Sequence, residues 1–320
     1  MSDNARMEML SGKAFANMAQ YRQLSTLPER AWKYIDDRML AVAKAELVGI
    51  ADLASSPDTN INFDGTSSSV YLRDRVSEVN EAKMAMSPDT RGESGALLFD
   101  EIGVPLPVTY KDFPVEKRQI ESARRENIPF RTTLIEESTR AVSRMLEETL
   151  FNGSYTAAGQ TLYGYTTFPD RNTDTISDWA NVATTPEDII NEIIAMISLS
   201  VTANHYGPWN LYIPSGYRAR FSEDYAVGTY PTGLTIEQRA LQIDGLNAIR
   251  TSRNLATNNV VLVEMNSTTV QMINGLPMQV IDWEPANSPN WRHTWKVLTI
   301  MVPFVYSDYD GQCGVVHGSV

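Results

Sequence analysis

Residues 52 to 100 constrain this chain more than any other segment. They hold three turn-forming clusters, Ser55-Ser56-Pro57-Asp58, Gly65 to Ser69 and Ser87 to Gly92, and no strong core pattern. Within them only Val70 to Val76 reads as a strand. About fifty residues without a core pattern are uncommon in a compact domain, and such segments are usually functional or ordered by a partner. Ordering them alone costs about 1–2 kcal/mol of backbone entropy per residue. Residues 1–25, polar and methionine-rich, read as an arm with the same need.

The rest of the chain is patterned for a core. Pro28 suits a helical first turn, Trp32, Ile35, Met39, Val42 and Leu47 recur at helical spacing, and Gly49 is a plausible stop. Strands are expected at Pro105–Tyr110 and Phe113–Ile120. The best helix starts with Thr133 boxed to Glu136 and ends at Asn152-Gly153. Its expected apolar face is Ile135, Val142, Met145, Leu146 and Thr149. Residues 154–183 read as loops. Thr185, Pro186 and Asp188 then open a helix that buries Ile189, Ile190, Ile193, Ile194 and Ile197.

Trp209–Pro214 follows as a strand. Ser215 and Thr235 read as caps of short helices, the latter boxed with Gln238. Strands are expected at Val260–Glu264, Thr268–Ile273, Met278–Trp283 and Trp295–Tyr306, with a turn at Gly275-Leu276-Pro277. The class is α+β.

Several function classes drop out. Net charge is −12 and both halves are negative, so there is no basic footprint for nucleic acid. Cys313 is the single cysteine, which excludes an intrachain disulfide and a cysteine zinc site. His205, His293 and His317 are far apart in sequence and match no metal motif. Neither Gly-rich nucleotide fingerprint nor a GxSxG elbow is present. Adjacent residues on a helix point about 100° apart, so Glu136-Glu137 and Glu147-Glu148 do not converge as a hydrolase pair must. They read as a solvated face with Arg140 and Arg144 as partners.

Tyr206, Trp209, Tyr217, Tyr225 and Tyr230 read as core or subunit contacts. Arg218 and Arg220 beside them are offset by Glu223 and Asp224. The longest apolar run, Val297–Val305, is too short to span a bilayer, and no apolar run follows Met1 as a secretory signal would need. No catalytic residue, metal, cofactor or membrane is expected. An assembly protein is.

Several local strings, in order, resemble the encapsulin-like branch of tailed-phage major capsid proteins, the Hong Kong ninety-seven fold. They are Leu27 to Arg38, with Trp32 and Ile35-Asp36; Val104-Pro105-Leu106-Pro107; Glu147 to Gly153; Gly159 to Gly164; Thr185-Pro186-Glu187-Asp188; Gly207 to Leu211; and Gly228-Thr229-Tyr230-Pro231. Each is weak alone; their order over residues 27–310 carries the resemblance.

It implies an N-terminal arm and helix (1–50), an extended β-hairpin loop (51–108), a peripheral domain with a long spine helix (109–180 plus 291–320) and an axial domain (181–290). It also implies hexamers and pentamers in an icosahedral virion shell around double-stranded DNA, held without sequence-specific binding and assembled in the host cytoplasm. A separate scaffolding protein, a portal and a decoration protein would be partners. The residues ahead of the Trp32 helix and the long loop favour this over the alternative, an encapsulin shell around a cargo enzyme. Intersubunit contacts are expected at Trp32, Tyr34, Tyr71, Arg73, Asp74, Arg75, Arg140, Arg144, Glu147, Glu148 and Tyr230. Some relatives crosslink through a loop lysine. Lys83 is the one lysine between 52 and 100 and reads as a solubilising residue.

Overall fold

A twenty-residue helix organises one half of the molecule, and a sheet buried on both faces organises the other. The computed structural model describes residues 29–77, 97–116, 133–227, 230–283 and 292–320, with positions 84, 86, 118, 122 and 125 between them. Lys83 and the side chains of Trp32, Tyr34 and Tyr230 lie outside the described residues.

The long helix, Thr133–Asn152, buries Ile135, Ser138, Thr139, Val142, Ser143, Leu146, Glu147, Leu150 and Phe151. This i, i+3, i+4 stripe is rotated from the expected face. Met145 is exposed, and small hydroxyl residues take up the width instead. Thr133 is already helical, and no box between it and Glu136 forms among the described residues.

Numbered in chain order, α1 is Glu29–Glu46, α2 Gly49–Ser55 and α3 the long helix. Gly49 opens α2 instead of ending α1. The early strands are β1 (Asn60–Asn62), β2 (Val70–Val76), β3 (Phe99–Pro105) and β4 (Thr109–Glu116), the last two shifted from their expected bounds. Segment 154–163, expected as loop, is a hairpin of β5 (Ser154–Ala157) and β6 (Gln160–Tyr163), and β7 (Asn172–Thr175) follows.

The helix α4 (Pro186–Thr202) carries the expected capping box between Thr185 and Asp188. It buries Ile189, Ile190, Ile193 and Met196 but leaves Ile194 exposed. After β8 (Trp209–Pro214), Ser215 starts a 3-10 turn without capping it. Then come α5 (Arg218–Phe221), β9 (Asp224–Val227), β10 (Tyr230–Thr235) and α6 (Ile236–Ala240), whose Thr235–Gln238 box forms as expected. The chain continues with β11 (Leu246–Ser252), β12 (Asn259–Glu264), β13 (Val270–Trp283), β14 (Arg292–Val305) and β15 (Val315–Ser319).

Two sheets divide the long strands. One runs β1-β13-β14-β4, and the other β11-β8-β12-β15-β7. The expected turn at Gly275-Leu276-Pro277 is instead a register shift inside the single strand β13. The fourteen-residue partner β14 carries the pairing past it. Gly275 is pressed against Gly65, where a Cβ would lie 2.9 Å from the facing Cα.

Strand β15, placed by sequence with the spine helix, pairs with β12 and β7 in the five-stranded sheet. Strand β13, placed in the axial part, pairs with β14.

The two halves share a core. One face of the five-stranded sheet packs Leu211, Ile213, Leu262 and Val316 with α4. The other sends Tyr212, Val261, Val263 and Val315 into the cluster that holds Leu146, Leu150, Phe151 and Trp295. Burial on both faces explains the unbroken apolar character of β12.

The end of α3 is locked by the chain that follows the hairpin. Backbone N–H groups of Tyr165 and Thr166 donate to the carbonyls of Leu150 and Phe151, both at 2.9 Å. The close approach requires Gly164, because a Cβ there would stand 2.5 Å from the Gly153 nitrogen and 2.7 Å from the Phe151 carbonyl. Gly164→Ala should therefore cost about 1–3 kcal/mol, read by denaturant unfolding of the unassembled chain.

Candidate functional site

The β2–β3 ribbon is a two-stranded element outside both large sheets. Seven residue pairs join it, from Val70↔Pro105 to Val76↔Phe99. A two-stranded ribbon is marginal by itself, so its root must be held from below. Tyr71 packs edge-on against Phe63 and Phe304. The Arg73 guanidinium sits 4.0 Å from the centre of the Tyr306 ring and donates to the Ser267 carbonyl at 3.1 Å. Arg75 pairs with Asp100 and donates to Ser307 Oγ at 3.2 Å.

These three residues were expected between subunits. Within the chain Tyr71, Arg73 and Arg75 anchor the ribbon, because strand alternation turns them toward the body. Asp74 and the apolar Leu72 and Val76 face outward and are exposed. Phe99 at the end of the ladder and Leu97 and Leu98 beyond it are also exposed, and Met84 and Met86 are fully so.

Glu147 is not on a solvated face. It is 4% exposed, and its carboxylate accepts the backbone N–H groups of Val48 (2.6 Å), Gly49 (2.6 Å) and Ile50 (3.3 Å). These are the orphan donors of the first turn of α2, and a negative charge suits that end of a helix. Burial pushes the Glu147 carboxyl up; the three N–H bonds pull it down without cancelling that, and Asp52 adds to the rise.

Asp52, on the same short helix, accepts from Tyr212 Oη at 3.2 Å and from Arg250 Nε at 3.3 Å. So α2 ties the spine helix to the five-stranded sheet. Arg140 pairs with Glu137 and, at 2.9 Å, with Glu46; Arg144 reaches the same Glu46 at 3.5 Å. The expected partnership with Glu147 does not form, because the backbone N–H groups of α2 occupy the Glu147 carboxylate and Glu46 takes the two arginines. Glu148 is exposed.

Beside the ribbon root lies a groove of about 490 Å³, lined by Arg73 to Val76, Asn204 to Gly207 and Tyr306 to Asp308. His205 Nδ1 donates to Glu264 Oε2 at 2.5 Å, Thr269 Oγ donates to the same oxygen at 2.5 Å, and Gly207 N–H donates to Oε1 at 3.0 Å. Burial pushes the Glu264 carboxyl up, but the bonds from His205, Thr269 and Gly207 outweigh it and leave the group below its ordinary value. Sequence reading missed this carboxylate, since Glu264 sits in an apolar strand with no charged neighbour to mark it.

Among the described residues no group of three or more His, Cys, Asp or Glu side chains is placed to hold a metal ion. No described helix is long and apolar enough to cross a membrane.

The two buried carboxylates have opposite proton linkage. Glu264 gives stability that is present above its ordinary value of 4.5 and is lost as pH falls through its lowered value. Glu147, raised in the folded chain, gives stability that is full below 4.5 and declines as pH rises through its elevated value. Unfolding curves against pH should show the wild-type margin over Glu264→Gln shrinking toward acid. The margin over Glu147→Gln should shrink toward neutral. At neutral pH Glu147→Gln should still cost about 2 kcal/mol, since an amide offers one oxygen to three donors.

The fold has well-matched relatives among solved structures. A virus-like particle from Pyrococcus furiosus matches with a TM-score of 0.62 at 13% identity, over 90% of this chain and 99% of that one. The capsid of the Myoviridae phage XM1 matches with a TM-score of 0.61 at 10% identity, over 82% and 89%. Mycobacterium phage Bobi matches with a TM-score of 0.58 at 11% identity, over 87% and 89%. The shared architecture is the Hong Kong ninety-seven capsid fold, as the order of local strings implies. A family profile matches residues 19–318, so the chain belongs to the family of unknown function DUF6260.

Proposed function

We propose that this chain is a structural shell subunit, a major capsid protein without catalytic activity. In this reading hexamers and pentamers close into an icosahedral shell around a phage double-stranded DNA genome. The observation that carries it is the β2–β3 ribbon on this fold. Its root is packed on its own chain, while Leu97, Leu98, Phe99, Met84 and Met86 stand exposed. Exposed apolar side chains on a ribbon this thin gain by being covered, and a neighbouring subunit is the surface that a shell supplies. The net charge of −12 supports a container that holds DNA loosely, because an acidic chain has little with which to neutralise phosphate.

A scaffolding protein, a portal and a decoration protein belong to the same reading, as do a virion location and assembly in the host cytoplasm. A cargo-enclosing compartment would use the same fold. Its expected sign is a small shell without nucleic acid. The arm residues Trp32 and Tyr34, and Tyr230 near the capsomer centre, remain proposed subunit contacts.

Electron microscopy of the purified chain, with nucleic acid measured on the same particles, tests the reading. Closed shells support it; discrete monomers or dimers with and without a co-expressed scaffold refute it. A second test removes residues 78–96 and joins Ser77 to Leu97 by a short glycine turn. The ladder of β2 and β3 and the cores below it are untouched, so the variant should unfold cooperatively at an unchanged temperature. It should form no shells. A wider cut from 60 to 100 would also remove β1 and Phe63, which packs against the core below the ribbon.

A further inference from the structure

A second pocket, of about 330 Å³, lies where the end of α1, the spine helix and the end of β11 meet. Glu46, Val48, Arg144, Glu147, Thr251 and Arg253 wall it. Both of its carboxylates are occupied. Glu147 accepts the three backbone N–H groups of α2. Glu46 gives one oxygen to Arg140 Nε at 2.9 Å and the other to Arg144 Nε at 3.5 Å. The cations are not matched in return. The two amino groups of Arg144 and the whole guanidinium of Arg253 make no hydrogen bond among the described residues, and neither does the Thr251 hydroxyl.

Both arginines stand on fixed backbone. Arg144 belongs to the spine helix, and its carbonyl accepts from Asn254 Nδ2 at 3.2 Å. The Asn254 carbonyl accepts from Asn152 Nδ2 at 2.6 Å, and its N–H donates to Ser252 Oγ at 3.2 Å. These bonds pin the 252–254 segment along the last two turns of the spine helix, with Arg253 in the middle of the pinned stretch. Donors set out in advance on rigid supports lower the ordering cost that a ligand must meet.

Unmatched guanidiniums from two elements, facing one pocket in a chain of net charge −12, make a site for an anion. The guanidinium fork suits oxyanions, and one fork already fills a carboxylate. A phosphate group has oxygens for two forks and for the Thr251 hydroxyl as well. The volume is near the lower end of the range of about 300–1,000 Å³ that small ligands occupy, which favours a small molecule over a strand of nucleic acid.

We propose that this pocket binds a small phosphate-bearing anion between Arg144 and Arg253, with Thr251 as a third donor. Such a ligand ties the spine helix to the end of β11, across the joint that α2 already bridges. The inference stands apart from the shell reading and does not need it.

The experiment titrates the full chain with inorganic phosphate at constant ionic strength, chloride being withdrawn as phosphate is added. Phosphorus NMR reads binding, and thermal unfolding reads the linked stabilisation. One phosphate per chain should bind saturably, in the millimolar range or below, and raise the unfolding temperature. Arg253→Gln should unfold like the wild type without phosphate, since the side chain has no partner to lose, and should weaken phosphate binding at least about tenfold. Thr251→Val should weaken it about fivefold. Arg218→Gln, on α5, removes the same charge elsewhere and should leave binding unchanged.

No saturable binding overturns the proposal. So does equal binding by wild type and Arg253→Gln, or an equal loss in Arg218→Gln, which would mark a general effect of charge. A short DNA duplex at matched phosphate concentration should not displace the bound phosphate. If the duplex binds with the same dependence on Arg253, the ligand is a nucleic-acid backbone and the small-molecule proposal fails. None of these outcomes bears on whether the chain forms shells.

Discussion

Three backbone N–H groups aimed at one buried carboxylate hold the two halves of this molecule in relation. Glu147 is one turn from the end of the spine helix, and the donors belong to a helix of seven residues. Fixing that short helix fixes what it carries. Ile50 and Leu53 enter the core, and Asp52 turns to Tyr212 and Arg250 on the five-stranded sheet. Removing a carboxylate from water costs several kcal/mol, and three charge-assisted bonds return a similar amount. The net gain in stability is therefore modest. The gain in definition is larger, because any other roll or slide of α2 would leave a buried charge without donors.

Much of this fold is legible in the sequence where the determinants are local. The Thr185 and Thr235 boxes form as read, because each needs only residues within one turn. Val70–Val76 is a strand with the bounds expected. The order of weak strings over most of the chain points to the architecture that the solved relatives share. Legibility fails where a distant partner decides. Glu147 and Glu148 are indistinguishable in sequence, and only donors nearly a hundred residues away bury one and expose the other. Gly275-Leu276-Pro277 has turn chemistry, yet the long strand β14 draws it into a continuous ladder.

The charged triplet Arg73-Asp74-Arg75 shows how the candidate site was half readable. Its β character is legible from the residues alone. Which of the three charges share a face is not. A strand divides neighbours between two faces, so the arginines became the ribbon's internal fastening and the aspartate stayed outside. The signal that would have separated them is the period-two pattern itself, with Tyr71 as the marker of the inward side.

The placement of β15 sets a schedule. This strand lies between β12 and β7, and it is the one partner that β7 has among the described strands. Residues 315–319 are synthesised long after residues 172–175. Until they arrive, the five-stranded sheet has an open gap in its middle and no place for β7. Contacts this distant in sequence form slowly. The ribbon waits as well, since Phe304, Tyr306 and Ser307 hold its root. Residues 304–319 thus act as a timer: the anchorage of the ribbon and the closing of the larger sheet are completed by the same late stretch of chain.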